Sequence, residues 1–198
     1  VLGVILAGGA SSRFGAPKAL AKVGGRPIVE RVRDALAAAA GEVVLVANAP
    51  ELFAHLALPQ RADAVPGAGP LGGVLTALRW ARERGDEGVL CVACDMPFVP
   101  AELLRDLAER ARAGDAALVV PGSRGRRGAE PLCAWYSVRL LATVERAVAD
   151  GERALYPLLD RAERVPLAHV ERFGDPDVLF LNVNTPADHQ RAEHIAAS

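Results

Sequence analysis

Short runs of β-branched and aliphatic residues recur along this chain, separated by longer stretches in which apolar positions return every three or four residues. The first run, GVILA at residues 3–7, predicts a strand, and PIVERVRDALAAA from Pro27 predicts a helix with proline in its first turn. EVVLVANA at 42–49 predicts another strand, 51–58 a short helix and 61–65 a short extended segment. After PGAGPLGG at 66–73, residues 74–84 have helical spacing. GVLCVACD at 88–95 reads as a strand, PAELLRDLAERARAG from Pro100 as a helix whose Leu103, Leu104, Leu107 and Ala111 share a face, and AALVVP at 116–121 as a strand. Strands alternating with helices predict an α/β fold, a mostly parallel, Rossmann-like twisted sheet with helices on both faces.

Beyond Pro121 the rhythm changes. SRGRRGAE at 123–130 is a basic, glycine-bearing loop, PLCAWYS at 131–137 predicts a strand, and 138–149 a helix. ALYPLLD at 154–160 predicts a short helix, RVPLAHV at 164–170 a strand, and residues 177–197 a strand running through NVNTP into a terminal helix. No repeat, low-complexity tract or interdomain linker interrupts the 198 residues, so one compact domain is expected.

Composition narrows the partners. With 23 basic and 24 acidic residues the net charge is -1, so no overall field favours nucleic acid or a membrane surface, and an anion site has to be local. The apolar run at 4–7 is cut by Gly8 and Gly9 and is too short for a leader core or a membrane span, which makes the cytoplasm the expected compartment. Three cysteines do not form a disulfide framework; Cys91 and Cys94 spell CxxC, but within a strand they face opposite ways and read as packing thiols. The four histidines, His55, His169, His189 and His194, form no metal-ligand spacing.

In an open parallel sheet ligands collect beyond the carboxyl ends of the strands. Three polar segments are expected there: the loop after the first strand, Asp95, and Asn182 with Asn184. In the first loop, LAGGASSRFGAPKAL, glycines let backbone amides approach an oxyanion while Arg13 and Lys18 add charge, a combination suited to a triphosphate, although a Gly/Ser loop by composition is as often a tight turn. The loop fits neither G-x-G-x-x-G nor the P-loop pattern, since Ala19 follows Lys18. Asp95 follows a buried strand, so its carboxylate needs a partner or a metal; a capping aspartate is the alternative.

LAGGASSRFGAPKAL resembles the signature loop of nucleotidyltransferases that activate small molecules. PGAGPLGG, CDMPFVP, EPLCAWY and LNVNTPAD follow in order, and with them nearly the whole chain resembles the bacterial molybdenum cofactor guanylyltransferase family. The resemblance implies a three-layer nucleotidyltransferase fold and transfer of GMP from GTP to molybdopterin with Mg2+; a cytidylyltransferase acting on the same or another small phosphorylated acceptor, or a non-catalytic nucleotide-binding protein, is the alternative. It divides the chain into a nucleotide-binding part, roughly 1–120, and an acceptor part, 121–198. It implies backbone contacts to GTP from Leu6, Ala7 and Gly8, a turn shaped by Gly9, and phosphate binding and transition-state stabilisation by Arg13 and Lys18. Pro17 stands where the family often has aspartate. Gly69, Pro70 and Gly72 would lie against the nucleotide, Asp63 would contact guanine or ribose, and Asp95 would bind the metal. Asn48 fits either base recognition or a cap for the helix near Glu51, and Val46 takes the place of a second asparagine that the family can carry. On the acceptor side, Asn182 and Asn184 would face the pterin, Arg124, Arg126 and Arg127 offer charge to its phosphate or form a solvated loop, and Glu130 would orient an arginine or make a surface pair. A molybdopterin insertion enzyme and molybdoenzyme chaperones are the implied protein partners.

Overall fold

The computed structural model describes residues 1–8 and 20–198. Among them, seven strands form one sheet in the order β5-β4-β1-β6-β8-β7-β9. Its members are β1 (Leu2–Leu6), β4 (Val43–Val46), β5 (Gln60–Arg61), β6 (Gly88–Ala93), β7 (Leu118–Pro121), β8 (Cys133–Ser137) and β9 (Glu163–Val165). β2 (Lys22–Val23) and β3 (Arg26–Pro27) pair in a separate hairpin. Every neighbouring pair in the large sheet is parallel except the two that β8 makes with β6 and β7. The chain leaves β1 for β4 on one side and returns across it to β6 on the other, so β1 lies at the topological switch point where open α/β sheets bind ligands.

Strand alternation sends successive side chains to opposite faces, and each face buries its own core. Ile5, Leu45, Leu90, Val92 and Trp135 pack on one side with α1 (Ile28–Ala40) and α3 (Ala101–Ala113). Val4, Leu6, Val44, Cys91 and Tyr136 pack on the other with α2 (Gly69–Arg84) and α4 (Leu141–Ala149). The expected layered α/β fold is therefore what the chain adopts. Cys91 and Cys133 are buried in opposite cores, and burial pushes both thiols well above their ordinary range. Cys94 packs against the face opposite Cys91, as strand geometry requires.

Three local expectations need correction. The helix after PGAGPLGG begins at Gly69, inside the glycine run, because Pro70 occupies its first turn and Gly72 packs within 2.7 Å, at its Cβ position, of Ala68 Cβ. RVPLAHV is not one strand: Pro166 ends β9 and starts α5 (Leu167–Val170). DVLFLNVNTP contains no strand, since the Asp175 side chain accepts the Asp177 N–H and caps α6 (Pro176–Leu179). The segment after it leads irregularly to α7 (Pro186–Ala196), which begins with a capping box between Thr185 and Asp188. Residues 50–56 and 156–161 form 3-10 helices, the short helices expected there. No helix among the described residues is long and apolar enough to cross a membrane.

Gly88 marks the tightest approach in the sheet: a Cβ there would lie 2.6 Å from Trp135 Cζ2 and 2.6 Å from the Tyr136 carbonyl. Gly88→Ala is expected to destabilise the protein by about 1–3 kcal/mol through overpacking. Urea unfolding measures this, and an unchanged midpoint would contradict the packing described.

Candidate active site

Backbone hydrogen bonds stitch the carboxyl ends of the strands into one rim. Ala7 N–H donates to the Val46 carbonyl at 2.9 Å and Cys94 N–H to the Leu6 carbonyl at 3.1 Å. Ala93 N–H reaches the Leu132 carbonyl at 2.9 Å, and Val183 N–H reaches the Asp95 carbonyl at 2.9 Å. The last bond matters most for assembly, because it brings the segment between α6 and α7 onto the Asp95 turn without a strand. Asn182 and Asn184 therefore flank Val183 on a loop instead of ending a strand as expected, and neither lines the cleft that contains Asp95. The Asn182 side chain donates to the Phe180 carbonyl at 3.1 Å.

A cleft opens at this rim. Of the sequence-derived candidates Leu6, Gly8, Asp63, Gly69, Pro70 and Asp95 line it, joined by Val46, Gly73, Ala93, Cys94 and Leu132. The polar groups of Leu6 and Ala7 named above are spent within the sheet, so Leu6 enters the cleft as an apolar wall. Gly72 lies beneath the lining and serves the helix, its carbonyl accepting the Thr76 hydroxyl at 2.9 Å. Gly9, Arg13 and Lys18 lie outside the described residues. Gly69 has φ +62°, and a Cβ on it would lie 3.1 Å from the Arg153 carbonyl, so only glycine suits this corner. That carbonyl accepts the Leu71 N–H at 3.1 Å, and the Arg153 guanidinium donates to the Gly67 carbonyl, so the turn after α4 holds the glycine run from behind.

Three carboxylates stand around the cleft. The Oδ1 atom of Asp63 is buried and has no hydrogen-bond partner among the described residues. Its Oδ2 accepts from Asn48 Nδ2 at 2.7 Å. Asn48 thus turns toward Asp63, not toward the helix near Glu51, whose start has no side-chain cap. Asp95 follows β6 with Oδ1 buried.

Glu130, expected to orient an arginine or make a surface pair, is partly buried at the foot of β8 and not in a surface pair; Oε1 accepts the Leu132 N–H at 3.2 Å. Burial pushes its carboxyl up to about 7 from an ordinary 4.5, with Asp95 adding to the rise and the Leu132 N–H opposing it. The only clue in the sequence was position, just ahead of the strand that pairs antiparallel to β6. Arg124, offered for an acceptor phosphate, is committed elsewhere: it binds Glu171 at 2.7 Å, Asp175 at 2.6 Å and Asp177 at 3.1 Å. Arg127 lies over the Tyr156 ring, 5.1 Å from its centre.

The Glu130 shift has a definite sign. The folded protein keeps this proton from pH 4.5 up to about 7 while the unfolded chain has released it, so the contribution to stability is full below 4.5 and is lost as pH rises through about 7. Glu130→Gln is expected to remove that decline, on the order of 1–3 kcal/mol. Urea titrations at acidic and mildly alkaline pH without divalent metal check it; equal pH slopes in both proteins would assign the decline to another group.

Comparison with known proteins agrees with this geometry. Residues 3–165 match the family described as MobA-like NTP transferase domain. The chain is 37% identical over 190 residues to a probable molybdenum cofactor guanylyltransferase of Carboxydothermus hydrogenoformans, covering 94% of this chain and 92% of that one. It is 40% identical over 200 residues to the molybdenum cofactor guanylyltransferase of Rhodopseudomonas palustris, covering 98% and 92%. The crystal structure of molybdopterin-guanine dinucleotide biosynthesis protein A from Archaeoglobus fulgidus superimposes with a TM-score of 0.83 at 26% identity, covering 100% of this chain and 99% of that one. The chain belongs to the MobA-like NTP transferase domain family, and with it to the nucleotidyltransferases.

Proposed function

We propose that this protein transfers GMP from GTP to molybdopterin, forming molybdopterin guanine dinucleotide and pyrophosphate. The observation that carries the base assignment is Asp63 Oδ1, a buried carboxylate oxygen at the cleft with no partner among the described residues. Leaving such an acceptor unpaired is costly, and guanine offers adjacent ring and exocyclic N–H donors to satisfy it. Gly8 makes room for that approach, since a Cβ there would lie 3.2 Å from Asp63 Oδ2.

With the base at Asp63, the triphosphate extends toward Asp95, on the side where Arg13 and Lys18 are expected to bind it. An oxygen of the acceptor phosphate attacks the α-phosphorus of GTP in line; the new P–O bond forms as the bond to the β-phosphate bridging oxygen breaks, and pyrophosphate leaves. The attacking phosphate is already ionised, so positioning and neutralisation of charge carry the rate rather than a general base. Residues 121–198, through Asn182 and Asn184 on either side of Val183, supply the acceptor side, and residues 1–120 the nucleotide side. Receipt of molybdopterin from an insertion enzyme and handover to molybdoenzyme chaperones belong to the same reading.

Mg2+ fits the donors present. Among the described residues no three His, Cys, Asp or Glu side chains gather into a complete metal cage. Magnesium characteristically takes one or two carboxylates and fills its remaining positions with water and substrate phosphates, and Asp95, raising the neighbouring Glu130, marks a locally negative lip. Asp95 would hold the ion, which when bound neutralises negative charge on the triphosphate and on the departing pyrophosphate.

Turnover with molybdopterin and each of GTP, CTP, ATP and UTP in the presence of Mg2+ tests the proposal. GTP alone is expected to yield pyrophosphate and the dinucleotide, and Asp95→Ala to lower kcat by about 100-fold or more, the scale for loss of an electrostatic stabiliser. Preference for CTP would overturn the base assignment, and an active Asp95→Ala would overturn the metal assignment.

A further inference from the structure

Arg26, Arg61, Arg84, Arg110, Arg124 and Arg139 each lie 2.5–2.7 Å from a carboxylate. Five other arginines, Arg126, Arg127, Arg153, Arg161 and Arg164, are exposed and make no ion pair among the described residues. They are joined in one patch. Arg164 on β9 approaches the Arg127 carbonyl at 3.5 Å, and the Arg127 guanidinium lies over Tyr156. Tyr156 opens the short helix that Arg161 closes, and Arg153, three residues earlier, donates to the Gly67 carbonyl. The patch therefore runs from β9, the outer strand of the sheet, to the glycine run whose Gly69 and Pro70 wall the cleft.

The acidic residues nearest in sequence do little to neutralise it. Glu152 turns back to the N–H groups of Arg153 and Ala154, at 2.7 and 2.8 Å, and Glu163 has Arg110 as its ion-pair partner at 3.9 Å. Asp160 is left, exposed in the same short helix as Tyr156. Tyr156 itself is 44% exposed, more than any other large hydrophobic side chain among the described residues. Uncompensated guanidinium groups around an open aromatic ring have the composition of a protein interface, where arginine and tyrosine are enriched and recur as binding hot spots. None of the five arginines lines the cleft, so they do not gather around a small anion there. A nucleic acid is held by the number of phosphates neutralised, and a chain of net charge -1 offers it no wider field. An acidic protein face answers both features: carboxylates pair two-pronged with guanidinium groups, and the ring supplies apolar contact.

We propose that this patch docks an acidic face of the protein that delivers the phosphorylated acceptor. Its inner end is fixed to the glycine run through Arg153, so a partner seated on it is held beside the cleft mouth. This rests on the guanylyltransferase reading and adds to it the surface used for delivery.

Fluorescence anisotropy of labelled, purified molybdopterin insertion enzyme measures binding, and turnover of GTP with molybdopterin supplied by that enzyme or added free measures its use. Wild type is compared with Arg161→Glu/Arg164→Glu, with Tyr156→Ala, and with Arg82→Glu/Arg105→Glu, an equal change of charge on α2 and α3, where Arg105 reaches the Ala38 carbonyl of α1. Arg161→Glu/Arg164→Glu is expected to weaken binding about tenfold or more and Tyr156→Ala to weaken it less, while Arg82→Glu/Arg105→Glu binds as wild type. Salt should weaken the wild-type complex far more than what remains in the patch variant. Delivered molybdopterin should turn over more slowly in that variant and free molybdopterin at the wild-type rate, a split that loss of fold would not give. Should the charge reversal fail to fold, Arg161→Gln/Arg164→Gln carries the same readouts. No binding by wild type, unchanged binding in the patch variants, an equal loss in Arg82→Glu/Arg105→Glu, or tighter binding of single-stranded RNA at the patch would overturn the proposal. Wild type that ignores GTP with free molybdopterin would overturn the guanylyl reading itself, whereas GTP use with a silent patch would overturn this inference alone.

Discussion

Negative charge held at the mouth of an apolar sheet is the constraint on which this site depends. Asp95 and Glu130 lie close enough that Asp95 raises the Glu130 carboxyl, and Asp63 stands across the same cleft with a buried oxygen. Carboxylates placed this way cost free energy unless something satisfies them. In the proposed reading, a base rich in N–H donors would lie beside Asp63 and a divalent cation at Asp95, both brought by a magnesium nucleoside triphosphate. The architecture concentrates acidity where a substrate complex can relieve it.

Backbone geometry makes that concentration affordable. The carboxyl ends of β1, β4 and β6 are parallel and adjacent, so the turns after them share a rim without long loops. β8 runs the other way, which puts its entry segment, with Glu130 and Leu132, at this same rim. Residues 121–198 then close on residues 1–120 through main-chain contacts: Val183 to Asp95, and Arg153 to the start of α2. Main-chain bonds depend little on side-chain identity.

Much of this was legible in the residues, and the failures have physical causes. The strands at the centre of the sheet are β-branched runs buried on both faces, so β1, β4, β6 and β7 could be read directly, as could the expected convergence of Asp95 with the glycine-rich run. Asp63, Gly69, Pro70 and Asp95 line one cleft. Glu130 could not be placed, because its burial follows from an antiparallel strand entering the sheet between β6 and β7, a long-range event invisible in local pattern. DVLFLNVNTP misled because its apolar residues imitate a strand; they pack into the core from α6 and the segment after it, and a single capping aspartate decides the difference. Arg124 was drawn to three acidic residues some fifty positions away, which no local charge pattern could foresee.

The most direct measurement is anomalous scattering from crystals grown with GTP and Mn2+ in place of Mg2+. The account predicts a manganese peak within bonding distance of the Asp95 carboxylate, with the guanine edge against Asp63 and the triphosphate running between them. Manganese away from Asp95, or a base seated on the β7 and β9 side of the rim, would contradict it.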